Sequence, residues 1–256
     1  SPGDVHHIVH QVAGDQIFVA WASRYCDEGT PLYKLDVDDN ADYFADLELT
    51  YGKDALYLYD LFGVNGQQGS VDYTLQGFPE VGEVPYSCVW TARGKLLPGD
   101  DPATTDTEAT EATYVLWTKP ERLTSGARDA NLPAVDCAIG AGCILTWQED
   151  PEGLRPGQGL GPGEGWSGAI ANGKTDIWYS YISYADFDLV FADDTLDTTT
   201  EMTLAAYADS GATALPKPYV PMAMPVRLTD NNMCKSTGSD PYCYIDFDNL
   251  DDLDPA

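Results

Sequence analysis

Pro120-Glu-Arg-Leu-Thr-Ser125 and Pro225-Val-Arg-Leu-Thr-Asp230 carry the same pattern, P-x-R-L-T, far apart in one chain. A pattern that returns in the same company is the mark of a repeat architecture. The company here is a strand-like run ending in Trp, followed later by an Asp-led aromatic run. Trp21 precedes Asp54-Ala-Leu-Tyr-Leu-Tyr59, and Trp147 precedes Asp176-Ile-Trp-Tyr-Ser-Tyr181. One unit therefore reads as P-x-R-L-T, a strand, a strand ending in Trp, a long loop, and an Asp-led aromatic strand.

Strand-like runs fill the remaining chain. Gln16–Trp21, Tyr86–Trp90, Thr113–Trp117 and Cys143–Trp147 hold β-branched or aromatic residues between Gly, Pro, Asp or Asn. Ala13-Gly-Asp-Gln16 reads as a hairpin turn joining His6–Val12 to Gln16–Trp21. Helical periodicity is scarce. Pro98–Glu111, Pro151–Gly173 and Asp193–Thr200 are rich in breakers, acids or Thr, and read as elaborated loops. The fold expected is all-β: β-propeller blades with long insertions. The approximate units are 5–95, 113–185 and a partial 218–256. Propellers take about 4–8 blades, so these units make an incomplete ring.

The net charge of −29, from 42 acidic and 13 basic residues, argues against nucleic acid, whose affinity comes from basic groups neutralising phosphates. It disfavours anionic membranes likewise, and no run approaches the length of a membrane span. A hydrophobic fraction of 43% supports a packed core. The first residue is Ser1, which reads as a processed chain or a piece of a longer one.

The six cysteines, with no C-x-x-C pair, read as structural disulfides in an oxidising compartment. Proximity pairs Cys137 with Cys143 and Cys234 with Cys243, leaving Cys26 for Cys88. The expected location is extracellular or at the cell surface, with the periplasm as a variant.

Two acidic runs have the alternating oxygen donors that calcium takes. One offers Asp36, Asp38, Asn40 and Asp42; the other offers Asp246, Asp248, Asp252 and Asp254. Neither is an EF-hand loop, since Ala41 stands where that loop needs Gly and Leu47 where it needs Glu. The competing reading of each is a solvated acidic loop. His6, His7 and His10 form a third cluster. Alternation along a strand puts His6 and His10 on one face with Ile8, as a pair of transition-metal ligands, with His7 opposite. Tyr57, Tyr59, Trp178, Tyr179 and Tyr181 are candidate platforms for stacking on glycans, at most half of them on an open face.

Trp117-Thr-Lys-Pro-Glu-Arg-Leu-Thr124, Asn131-Leu-Pro-Ala-Val135, Leu145-Thr-Trp-Gln-Glu-Asp150 and Thr175-Asp-Ile-Trp-Tyr-Ser180 together resemble a blade of sialidase-like propellers. More narrowly, the chain resembles the choice-of-anchor O family of secreted bacterial proteins. The stretches Arg227–Asn231 and Asp240–Asp246 are similar to that family too. The resemblance implies a large extracellular protein and brings no activity to named residues.

Sialidase chemistry fits poorly. The S-x-D-x-G-x-T-W box is missing, and Arg122 and Arg227 fall at equivalent repeat positions, which points to a structural role. The Gly157–Gly165 stretch lacks the ending of a phosphate loop, and no serine has a G-x-S-x-G context. The expectation is a non-catalytic, calcium-stabilised surface scaffold that assembles with other surface proteins or with itself. The alternative is a sialidase-like carbohydrate-binding protein or glycoside hydrolase.

Overall fold

The computed structural model describes residues 5–26, 68–75, 77–101, 113–150, 153, 175–192 and 200–229. These residues are almost wholly β. The first sheet runs β1 (Val5–Ala13), β2 (Gln16–Ser23), β5 (Cys88–Pro98), β6 (Thr113–Trp117), with β7 (Glu121–Arg122) also on β5. The second runs β8 (Asp129–Ala138), β9 (Gly142–Asp150), β10 (Asp176–Ser183), β13 (Val226–Arg227). Every pairing in both is antiparallel. Two small hairpins, β3–β4 (Ser70–Asp72, Glu83–Pro85) and β11–β12 (Leu189–Phe191, Glu201–Thr203), hang from the loops. The short helix α1 (Leu204–Asp209) is capped by Thr203, whose Oγ1 accepts from the Ala206 amide at 3.2 Å. Among the described residues no barrel or ring closes.

Local chemistry explains the strands. Gln16–Ser23 alternates buried and half-buried positions, the period of a strand between two environments. The hairpin expected at 13–16 forms, with Ala13 opposite Gln16 and Gly14 at a φ of 67°. In the second sheet Gly142 has a φ of 116°, and a Cβ there would lie 2.1 Å from the Ile182 carbonyl oxygen. Only glycine lets β9 start so close to β10. Both disulfides expected in this region are present, Cys26–Cys88 and Cys137–Cys143. The Cys234–Cys243 pair lies outside the described residues.

The sheets repeat one another strand for strand. Trp21 faces Trp90, which faces Arg122; Trp147 faces Trp178, which faces Arg227. The Leu123 amide donates to the Val89 carbonyl at 2.9 Å, as Leu228 does to Ile177 at 2.7 Å. The Val89 amide donates to Thr124 Oγ1 at 3.1 Å, as Ile177 does to Thr229 at 2.9 Å. The first strands match as well: each breaks register once, at His6/Val9 and at Asn131/Ala134. The break holds a non-glycine residue at a φ of 51° in both, His7 and Leu132. Such residues are uncommon in the left-handed region, so finding them at equivalent bulges marks one design used twice.

The phase of the repeat differs from the sequence reading. P-x-R-L-T does not open a unit; it supplies the last strand of a sheet, β7 in the first and β13 in the second. β6 joins the first sheet, not the second unit. The counterpart of Asp176–Tyr181 is Cys88–Arg93, not Asp54–Tyr59, which lies outside the described residues.

The two sheets share a core. Phe18, Ala20, Val89 and Leu123 of the first meet Leu145, Trp147, Trp178 and Ile182 of the second. Trp147 and Trp178 are 1% and 0% exposed, so truncating either to alanine costs about 3–5 kcal/mol. The sheets use opposite faces. Leu145 and Trp147 correspond to Val19 and Trp21, which sit on the half-buried far side of the first sheet. The packing is therefore head to tail rather than face to like face.

Candidate functional site

The densest chemistry outside the apolar core lies where β8, β9 and β10 end together. Cross-strand register sets Asp129 opposite Asp150 and Glu149 opposite Asp176. All four are 5% exposed or less. Like charges placed opposite each other repel, so each needs compensation. Asp129 Oδ1 accepts from the Ser87 amide at 2.8 Å. Asp150 Oδ2 accepts from Thr175 Oγ1 at 3.2 Å, and Asp176 Oδ1 from Thr229 Oγ1 at 3.0 Å. Arg227 Nη1 stands 3.5 Å from Asp176 Oδ2, and Arg128 Nη1 stands 3.9 Å from Glu149 Oε2. The Arg128 guanidinium also lies 5.5 Å from the centre of the Trp178 ring.

Glu149 is the group this network holds least comfortably. Burial pushes its pKa from the usual 4.5 up to about 7, and Asp176 adds to the rise; the Trp147 Nε1 hydrogen bond at 2.9 Å and the two arginines pull it back. A carboxyl whose pKa is raised on folding destabilises the fold as it ionises. The penalty is absent below pH 4.5, grows through the window up to about 7, and is complete above it. Glu149→Gln keeps an acceptor for Trp147 and removes the charge. Urea unfolding should show the wild type losing about 3 kcal/mol between those limits relative to the variant. Parallel pH profiles for the two proteins would remove Glu149 as the source.

The repeat shows what this cluster stands in for. The Glu149–Asp176 pair occupies the place of Ser23–Cys88 in the first sheet, where the Cys26–Cys88 disulfide sits. Arg227 next to Asp176 has its counterpart in Arg122, which donates to the Cys26 carbonyl. One sheet is fastened there by a covalent bond, the other by a charge network. A carboxyl that gives or takes a substrate proton needs substrate within hydrogen-bond reach. Among the described residues these carboxyls accept from Ser87, Thr175, Thr229 and Trp147.

The histidines are separated by the bulge in β1. His6 is half-buried, with Nε2 3.0 Å from Asn131 Oδ1, while His10 is exposed. Alternation had put them on one face; the left-handed His7 reverses it, so they point to opposite sides. Burial, and then the charge of neighbouring His6, lowers the pKa of His7 from 6.5. Among the described residues no group of three or more His, Cys, Asp or Glu is placed to hold a metal ion. Both candidate calcium runs, Asp36–Asp42 and Asp246–Asp254, lie outside the described residues.

Of the aromatic platforms, Trp178 is fully buried and unavailable, Tyr179 is half-buried and Tyr181 is 54% exposed. Tyr57 and Tyr59 lie outside the described residues. Sequence reading missed Arg93, fully buried and paired with Glu121 at 2.6 Å between β5 and β7. The available signal was Arg93 sharing a face with Val89 and Thr91 in a strand that is mostly apolar apart from Thr91 and Lys95. No helix among the described residues is long and apolar enough to cross a membrane. Two disulfides suit an oxidising, extracellular environment. Comparison with protein-family models, curated proteins and solved structures finds no match.

Proposed function

We propose that this chain is a non-catalytic scaffold of an extracellular or cell-surface assembly, built from propeller-type blades. The observation that carries this reading is the head-to-tail packing of two sheets with the same register, bulge, Trp pair and Arg. In a propeller each blade offers one face to the blade before it and the opposite face to the blade after it. Among the described residues, two such sheets present one further face at each end of the stack, which suits further blades or partners. The resemblance to the choice-of-anchor O family belongs to the same reading, as does assembly with other surface proteins. Disulfides and a buried charge network give the unit rigidity, which suits a scaffold.

Calcium stabilisation is part of the proposal and rests on the acidic runs. Saturating calcium should raise the melting temperature by about 5–10 °C over an EDTA-treated sample. An unchanged midpoint removes calcium from the reading and leaves the scaffold. The rival is a sialidase-like carbohydrate-binding protein or glycoside hydrolase, favoured by the exposed ring of Tyr181 beside Tyr179 on one strand. A glycan array and a glycoside hydrolysis screen separate the two. The scaffold reading expects neither retention nor turnover, and turnover would overturn it.

A further inference from the structure

Among the described residues the second sheet ends the stack with a largely apolar face, and the repeat identifies what that face is built to receive. Its residues are counterparts of residues already buried between the sheets. Ile144 matches Phe18, Ile177 matches Val89, Tyr181 matches Arg93, and Leu228 matches Leu123. The four members in the first sheet are 1% exposed or less. Their counterparts are 44%, 38%, 54% and 57% exposed, in the order given. Val226, 39% exposed and opposite Tyr179, extends the same face.

The complementary surface is also present. In the core, the first sheet's face meets Leu145, Trp147 and Trp178. The matching residues on the far side of the first sheet are Val19, Trp21 and Trp90, all half-buried. Asp136, exposed and opposite Ile144, puts a carboxylate on the β8 edge of the second sheet's face; the other residues named on the two surfaces carry none. Contiguous exposed apolar patches mark interaction sites on soluble proteins.

We propose that a second copy of this chain docks here. Its Val19–Trp21–Trp90 surface would cover Ile144, Ile177, Tyr181 and Leu228, continuing the contact already made between the two sheets. The inference rests on the scaffold reading above and names its first partner. The contact is heterologous, so it grows into a closed ring or an open filament according to the rotation per copy. Each copy brings a charge of −29, so repulsion opposes the contact and added salt relieves it.

Sedimentation velocity on the full chain tests this, over a concentration series at about 0.15 M and about 1 M salt. The expected result is reversible association that strengthens with salt. Ile144→Glu and Tyr181→Glu, both on exposed positions, should each weaken association by about tenfold. Val19→Glu should do the same from the other surface, with Ile17→Gln as the milder change there if the first does not fold. A double Ile144→Glu/Tyr181→Glu chain mixed with a Val19→Glu chain keeps one intact copy of each surface. The mixture should form a dimer and nothing larger. A wild-type monomer at every concentration and salt would overturn self-docking, as would association untouched by the Ile144 and Tyr181 variants. Either result leaves the scaffold reading standing with a different partner. That reading falls instead on glycoside turnover, which self-docking does not predict.

Discussion

Replacing Glu121 with alanine should lower the unfolding free energy by about 3–5 kcal/mol, the cost of leaving a buried charge without its partner. Arg93 donates to Glu121 Oε2 through Nε at 3.0 Å and Nη2 at 2.6 Å, and both side chains are fully buried. The guanidinium also donates to three backbone carbonyls: Val220 at 2.6 Å, Phe187 at 3.3 Å and Asp186 at 3.5 Å. Glu121 Oε1 accepts from the Met222 amide at 3.2 Å. One ion pair thus ties β5 and β7 to the turn after β10 and to the segment that leads into β13. Glu121→Gln should recover part of the loss, because an amide oxygen still accepts from Met222. The apolar double variant Arg93→Met/Glu121→Leu should fall between wild type and Glu121→Ala. It removes the unpaired charge but strands the carbonyls that Arg93 served. Urea midpoints for the four proteins check the order. A Glu121→Ala chain within about 1 kcal/mol of wild type would mean water replaces the carboxylate at no great cost.

That pair also shows where sequence reading stops. The strands, the turn at residues 13–16 and the two disulfides were legible, because alternation, turn chemistry and cysteine proximity act locally. The repeat was visible in P-x-R-L-T, yet its phase was not. β7 and β13 are two-residue strands. Which sheet they join is decided by pairing to Trp90 and Trp178, far away in the chain. The bulges were hidden for a different reason. His7 and Leu132 adopt a conformation that sequence signals assign to Gly, Asn or Asp, and tertiary packing imposes it. One residue out of register reversed the faces of His6 and His10, and with them the idea of a shared ligand pair. The acid cluster was hidden by abundance. Among 42 acidic residues nothing local sets Glu149 apart; its burial follows from lying opposite Asp176 beneath Arg128 and Arg227.

Breaking Cys26–Cys88 should cost about 4 kcal/mol, and breaking Cys137–Cys143 only about 2 kcal/mol. The difference comes from the unfolded chain. The first bond closes a loop with a sequence separation of 62, the second one of 6, and the entropy removed from the unfolded state grows with loop length. Position in the fold reinforces the ranking. Cys137–Cys143 staples a hairpin that β8 and β9 already pair in register. Cys26–Cys88 fastens the end of β2 to the start of β5 across the long 27–67 connection, and Gly126 packs against it. A Cβ on Gly126 would lie 3.0 Å from both sulfurs. Cys26→Ala/Cys88→Ala and Cys137→Ala/Cys143→Ala, compared by urea unfolding with the remaining bonds kept oxidised, measure the two costs separately. Equal costs, or the reverse order, would show that native packing rather than chain entropy sets them. The ranking bears on the scaffold reading directly. The Cys26–Cys88 end of the first sheet matches the Glu149–Asp176 end of the second, which has no covalent bond and weakens as Glu149 ionises. Reduction therefore loosens the first end alone, at any pH, while the Glu149 end loses stability as pH rises from 4.5 towards about 7 whether the disulfide is intact or not. The two effects should add: relative to Glu149→Gln, the Cys26→Ala/Cys88→Ala chain should lose the same roughly 3 kcal/mol between pH 4.5 and about 7 as the oxidised protein does, and a different loss would show that the two ends are coupled.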